Sequence, residues 1–218
     1  MNFRRFSWKS LYFQVKNLQL GRPTHGRPVV KKHEFQTCMI EDKLLIWRCK
    51  QGSRIAFQRI YEKYEDDLRT LAANLLDDKA AAEDVVHDVF ISLLRVIDTF
   101  ELRSSLAGYL KTCVANRSRD YVRSKKPKVV LDHDSMSISS DDNAPVRLVM
   151  KDELTQHLGM AMSRLPYEQR EAIVLYLHGQ MKFKTIAKLQ NVSIKTAHTR
   201  YRAGLDRLRS MLNSELEK

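Results

Sequence analysis

Two stretches carry side chains able to read or grip a polyanion. In VSIKTAHTRYRAGLDRL (192–208), Lys195, Thr196, Thr199, Arg200, Arg202 and Arg207 share one side, and Asp206 is the only acid. Ile194, Ala197, Tyr201, Leu205, Leu208 and Leu212 recur at three- and four-residue spacing, one stripe of an amphipathic helix. In YLKTCVANRSRDYVRSKK (109–126), Asn116, Arg119, Asp120 and Arg123 lie opposite an apolar stripe. Asn and Arg can hydrogen-bond base edges bidentately, and lysines such as Lys125 and Lys126 suit phosphates. Phe100, Tyr109 and Tyr121 offer flat faces for unpaired bases, although tyrosines at the spacing of Tyr109 and Tyr121 more often belong to a core.

A third stretch, AEDVVHDVF (82–90), sets Glu83, Asp84, His87 and Asp88 at helical one-turn spacing. Such a group can bind a metal, complement the positive end of a helix, or dock a basic partner protein. His33 and Cys38 make half a metal site at most, with no second pair, so no metal or cofactor is expected. The chain has no phosphate-binding glycine loop, no H-E-x-x-H, and no Ser or Tyr nucleophile with a matched basic cluster. Catalysis, as in a recombinase, is therefore the weakest of the candidate functions.

The elements that position these residues read as helices. Glycine and proline are few, strand signals are scarce, and apolar spacing is helical nearly throughout the 218 residues. DKLLIWRCK and AFQRIYEKYEDDLRTLAANLL are two helices separated near Gly52-Ser53. AAAEDVVHDVFISLLRVI follows, with Val86, Val89, Phe90, Leu93 and Ile97 on one face; FELRSS interrupts. LAGYLKTCVANRSRDYVRSKK closes this region, burying Leu106, Tyr109/Leu110, Cys113 and Tyr121, and Pro127 stops it. LDHDSMSISSDDNAP is Ser/Asp-rich and aperiodic, a linker composition. Beyond it Pro166 opens YEQREAIVLYLHG, ended by Gly179. KFKTIAKL, a turn at Gln190–Ser193 and the basic helix then form a helix-turn-helix, with Ser193 as N-cap. There Ile186, Ala187 and Leu189 pack the first helix, and Val192 and Ile194 pin the turn. Lys195, Thr196, Thr199 and Ala203 point outward, Arg200 and Arg202 flank them, and His198 sits nearer the buried edge.

Charge sharpens this division. The net charge is +12, which suggests a polyanionic partner. Glu62 to Glu101 holds eleven acids and four bases, whereas Lys111–Lys128 holds seven bases and one acid, and Lys182–Arg209 eight bases and one acid. Two separate basic blocks, each on a helix, are more than solvated faces. No apolar run reaches membrane-spanning length, and no secretory signal follows Arg4 and Arg5. Cys38, Cys49 and Cys113 are odd in number without C-x-x-C spacing, which suits a reduced, cytoplasmic setting.

AEDVVHDVF, YLKTCVANRSRDYVR and the terminal helix-turn-helix, in this order and across a linker, resemble the extracytoplasmic-function sigma factors of bacterial RNA polymerase. The resemblance covers about Asp42 to Leu212. It implies an all-α chain of two small helical domains joined by a flexible linker: a region 2-like domain at 39–126, a linker at 127–150 and a region 4-like domain at 151–213, with a tail at 214–218. The family pattern A-E-D-x-x-Q-x-x-F is matched at Ala82, Glu83, Asp84 and Phe90, with His87 in place of glutamine. The resemblance implies that Glu83, Asp84, His87, Asp88 and Phe90 dock on the core polymerase. W-L-x-x-x-A-x-N-x-x-x-D-x-x-R is matched by Leu110, Asn116, Asp120 and Arg123, with Ala115 one place after the pattern's alanine and Tyr109 in place of tryptophan. That helix and the loop before it, with Phe100, Arg103, Ser104 and Ser105, are implied to open the −10 promoter element and hold a flipped base. RLPYEQREAIVLYL and KTIAKLQNVSIKTAHTRYRAGLDRLR resemble the −35-reading unit, implying DNA contacts from Ser193, Lys195, Thr196, His198, Thr199, Arg200, Arg202 and Arg207. Ala203-Gly204 stands where Arg-Ala is usual, which removes one expected contact that Arg202 partly replaces.

The implied partners are core polymerase, promoter DNA and an anti-sigma factor, with no membrane and no cofactor. The alternative is a stand-alone helix-turn-helix regulator, which would have no need of the acidic helix. The pattern begins at MIEDKLLIWRCKQG, so Met39 is a candidate start. Residues 1–38, basic and aromatic, are expected to be a disordered extension; the alternative is a nucleic-acid or membrane-surface arm.

Overall fold

The computed structural model describes residues 32–76, 78–125 and 153–216. They form helices α1 (Lys32–Lys50), α2 (Arg54–Leu76), α3 (Lys79–Val96), α4 (Leu106–Lys125), α5 (Glu153–Ser163), α6 (Tyr167–Leu177), α7 (Phe183–Leu189) and α8 (Ile194–Leu216). There is no strand among the described residues, and no helix among them is long and apolar enough to cross a membrane. The expected linker, 127–150, lies outside the described residues, as do residues 1–31. The expected extension ended at residue 38, but the backbone of α1 is already helical from Lys32.

The first domain is built on α2, which α1, α3 and α4 all touch. Ile60, Leu68, Leu71 and Leu75 of α2 recur at helical spacing and are completely buried, with Leu93 of α3 and Leu106 and Leu110 of α4. The α1–α2 break falls at Gly52, as its sequence suggests. Its φ of 80° is the left-handed conformation that favours glycine at a helix end. Ser53 then caps α2, its Oγ accepting from the Ala56 N–H at 3.3 Å. The buried Asp42 of α1 accepts from Tyr64 Oη and Lys63 Nζ, both at 2.7 Å, which satisfies its carboxylate.

Asp78 starts α3 by accepting from the Ala81 N–H at 3.1 Å. The same carboxylate accepts from Tyr121 Oη at 3.0 Å and Lys125 Nζ at 3.4 Å at the far end of α4. The Ala81 hydrogen bond, more than those from Tyr121 and Lys125, holds its carboxyl below the ordinary value despite some desolvation. One acid thus ties the beginning of α3 to the end of α4. The burial pattern of α4 is narrower than its sequence suggests: Leu106, Leu110, Val114, Ala115 and Ser118 face inward, while Tyr109, Cys113 and Tyr121 are half-buried.

In the second domain α8 packs across α5, α6 and α7. Leu158, Ile173, Leu175, Ile186 and Leu208 are completely buried there. Residues 171–175 of α6 are buried in succession, because one side meets α8 and another meets α2 of the first domain. Gly204 allows α8 to lie close to α6: a Cβ there would come 2.8 Å from Ile173 Cδ1 and 3.2 Å from Gln169 Cβ. The Ala203-Gly204 departure therefore has a packing reason.

Candidate nucleic-acid and polymerase interface

The turn between α7 and α8 is closed by backbone geometry. The Gln190 N–H donates to Ile186 O at 2.8 Å, and the Val192 N–H to Ala187 O at 2.9 Å. Asn191 between them adopts φ 52°, a conformation asparagine tolerates better than most residues. Ser193 Oγ accepts from the Thr196 N–H at 3.0 Å, the N-cap its position suggests. Lys195, Thr196, Thr199 and Arg202 are then exposed together along the start of α8. Of these, Lys195, Thr199 and Arg202 line one open, shallow groove with Ile194, His198, Ala203 and Asp206. Ile194 does not join the buried stripe; it is 54% exposed at the head of the helix.

Aromatic packing supports that helix from beneath. Tyr176 and Phe183 stack with centroids 4.5 Å apart, and Tyr201 meets them at 4.9 and 5.4 Å. Burial pushes the Tyr201 hydroxyl up to about 12. His198 packs edge-on to Phe183 at 4.9 Å and is half-buried, a boundary residue. Arg200 turns inward, where its Nη1 donates to Gln190 Oε1 at 3.0 Å. Arg207 is exposed one side of the stripe.

On α4, Asn116, Asp120, Arg123 and Lys125 are exposed, and Lys126 lies outside the described residues. In the preceding loop Arg103 and Ser104 are exposed. Ser105 is occupied locally: its Oγ accepts from the Gly108 N–H at 3.2 Å. Phe100 and Tyr109 pack together at 4.8 Å, both half-buried at the edge of the core. Arg119 departs from the expected outward face. Its Nη2 donates to Glu171 Oε1 of α6 at 2.6 Å, and its side chain is only 15% exposed.

On α3, Glu83, Asp84, His87 and Asp88 are all exposed. Glu83 lies 4.0 Å from Lys79, and Asp88 accepts from Arg117 Nη1 at 3.0 Å. Phe90 corrects the expected docking set. It is 2% exposed and packs against Tyr61 at 4.7 Å and Phe57 at 6.2 Å, so it holds the helix to the core. Leu94, two turns beyond His87, is exposed instead. The outer face of α3 is therefore acidic, as its one-turn spacing suggests, with an exposed apolar end at Leu94. No group of three or more His, Cys, Asp or Glu side chains is arranged to hold a metal among the described residues.

The two domains meet through a set of polar contacts that the sequence gives no sign of. Asp67 of α2 lies 2.9 Å from Lys111 Nζ of α4 and 3.3 Å from His178 Nε2 of the second domain. Burial works to raise the Asp67 carboxyl, but hydrogen bonds from His178 and Lys111 outweigh it and hold it at about 2. Glu171, 1% exposed, accepts from Arg119 on one oxygen and from Gln190 Nε2 at 2.8 Å on the other. Burial raises its carboxyl, with Arg119 and Gln190 pulling it back down. Gln190 also meets Arg200, so a hydrogen-bonded series runs from α4 of the first domain to α8 of the second.

Comparison with known proteins matches these two domains in turn. Sigma-70 region 2 matches residues 60–127, and Sigma-70, region 4 matches residues 156–208. Similar curated proteins include the ECF RNA polymerase sigma factor SigW of Bacillus subtilis, 27% identical over 78% of this chain and 96% of that one. RNA polymerase sigma factor CarQ of Myxococcus xanthus is 28% identical with the same coverage. Among solved structures, the sigma factor RpoE in complex with the anti-sigma factor NepR from Bartonella quintana shares the fold: TM-score 0.52, 22% identity, 72% of this chain and 96% of that one. CnrH in complex with the cytosolic domain of CnrY gives a TM-score of 0.55 at 20% identity, covering 80% and 98%. The two matched regions together span more than half of the chain, in the order and on the helices described above, and the chain belongs to the ECF sigma factors, which direct promoter-specific transcription by RNA polymerase.

Proposed function

We propose that the work is divided by domain. The first domain, about 39–126, holds core polymerase with the exposed face of α3 and reads the −10 element with α4 and the loop before it. Residues 151–213 read the −35 element with α8, and 127–150 join the two. The observation that carries this division is that one chain presents an acidic helix face and two basic ones, each on a different element. A stand-alone regulator has no use for the first.

In this reading Lys195, Thr196 and Thr199 meet base edges in the major groove, where the N-terminal residues of a recognition helix sit. Arg202 and Arg207 hold phosphates. Asn116, Asp120 and Arg123 meet the unpaired strand, whose unstacking costs a few kcal/mol per base, offset by stacking and hydrogen bonds. Covalent linkage of two weak DNA sites raises their joint affinity through effective concentration. The protein supplies recognition and no catalytic step of its own, and it acts in the cytoplasm beside the polymerase. The two solved relatives, described as complexes with NepR and CnrY, support an anti-sigma partner for this chain as well.

Run-off transcription from a genomic promoter library, with core polymerase alone and with this protein added, tests the proposal. Discrete transcripts that need the protein are expected. A protein that binds duplex DNA but leaves core polymerase unable to initiate is a regulator, not an initiation factor.

A further inference from the structure

The interface between the domains buries Arg119, one of the residues expected to serve the −10 role. Arg119 lies on α4 one turn from Arg123 and Asn116, yet its guanidinium is spent on Glu171 at 2.6 Å. Glu171 gives Arg119 the charge-assisted acceptor that a DNA phosphate or base edge would give it. We propose that Glu171 is an internal competitor for promoter DNA: in the free protein it holds Arg119, and the −10 strand gains that side chain only when the two domains part. This rests on the −10 role of α4 proposed above.

Two further contacts make the closed arrangement specific. Gln190 donates to both the Glu168 carbonyl at 2.9 Å and Glu171 at 2.8 Å, so the carboxylate is held in position before Arg119 arrives. Asp67 is a second clasp: His178 Nε2 of the second domain lies 3.3 Å from its carboxylate and 3.2 Å from its backbone carbonyl, and Lys111 holds the carboxylate from behind. Both clasps are sensitive to loss of one charge. Taking the charge from Glu171 leaves a mostly buried guanidinium without a counter-ion, and taking it from Asp67 removes the carboxylate that meets His178 across the interface. Unpaired buried charge is strongly unfavourable, and parting the domains relieves it by rehydration.

The test uses the full chain without polymerase. Glu171→Gln, Asp67→Asn and a control, Asp66→Asn, each remove one negative charge. Asp66 is adjacent to the second clasp but 87% exposed and paired with Arg69 on its own helix. Binding of a fluorescein-labelled pool of random single-stranded DNA is titrated across salt concentrations, and the radius of gyration is measured by small-angle X-ray scattering. Glu171→Gln and Asp67→Asn should bind several-fold more tightly than wild type and give a larger radius. Their salt dependence should steepen by about 0.7 in log–log slope, the value of one additional phosphate contact on a single strand. Asp66→Asn should match wild type. Equal affinity and radius in all four proteins would overturn the proposal, as would an equal gain in Asp66→Asn, which would be net charge alone. If Glu171→Gln fails to fold, Asp67→Asn decides by the same criteria. Run-off transcription by the wild type checks the sigma reading separately, since it can succeed whether or not the free protein is closed.

Discussion

Gly204 and Ile173 are so close that a single added carbon would bring them to 2.8 Å. The contact is where α8 crosses α6, and Ile173 is itself 1% exposed, without room to retreat. Alanine in place of Gly204 gains about 1 kcal/mol of intrinsic helix propensity, but overpacking a filled core costs typically about 1–3 kcal/mol. Gly204→Ala should therefore lower the denaturation midpoint of the second domain, followed by circular dichroism in urea. A raised midpoint would mean that α6 and α8 separate more easily than their packing implies.

The outer and inner faces of α3 should separate by mutation. Asp84→Lys changes a solvated side chain and should weaken binding to core polymerase while leaving thermal stability near wild type. Asp88→Lys is less clean, because it also sets a lysine against Arg117. Phe90→Ala should do the reverse, destabilising the first domain by about 3–5 kcal/mol, as truncation of a buried phenylalanine does. Pull-down titration with core polymerase beside a thermal melt reads both. Loss of polymerase binding in a fully stable Phe90→Ala protein would return Phe90 to the docking surface.

The recognition helix should divide preference from grip. Lys195→Ala should change which −35 sequences are preferred, because a lost base contact costs about 1–3 kcal/mol at one position. Arg207→Ala should weaken all sequences alike and shrink the salt slope by about one. Arg200→Ala belongs to neither class: it unties Gln190 from α8 and should loosen the turn. A −35 variant library transcribed by each mutant, with affinities across salt, distinguishes them. Exchanged behaviour of Lys195 and Arg207 means that α8 is rotated in the groove.

Acid should weaken the clasp at Asp67. Its carboxyl is held near 2 in the folded protein against an ordinary 3.8, so the stabilisation is fully present above about 3.8 and is lost as pH falls through about 2. Lys111 and His178 are the groups facing it. Urea denaturation of wild type and Asp67→Asn from pH 5 to pH 2.5 should show the difference between them narrowing with acid. A constant difference would assign the low value to some other arrangement of the pair.

Helices, their breaks and the Ser193 cap were legible because each follows from local rules: apolar spacing, Gly52 at a left-handed turn, a hydroxyl ahead of an N-terminus. The outward set on α8 was legible for the same reason, since one helix face decides it. Arg119 and Glu171 were not, for neither breaks a local rule. Arg119 sits among exposed polar neighbours, and Glu171 reads as an ordinary surface acid until α6 is found covered on two sides. Phe90 is a different case: it stands within the docking pattern, yet it is buried in the core beneath that surface. Contacts between elements distant in sequence leave no periodicity behind.

Asp78 joins the first turn of α3 to the last turn of α4, so the two helices are tied at one corner. In the proposed division, with polymerase on α3 and the separated strand on α4, this corner would gauge the site of strand opening from the enzyme by one bracket. On that proposal the offset between the opened bases and the first nucleotide copied would have little freedom to drift. Variation in spacing between the two promoter elements would then be absorbed elsewhere in the chain.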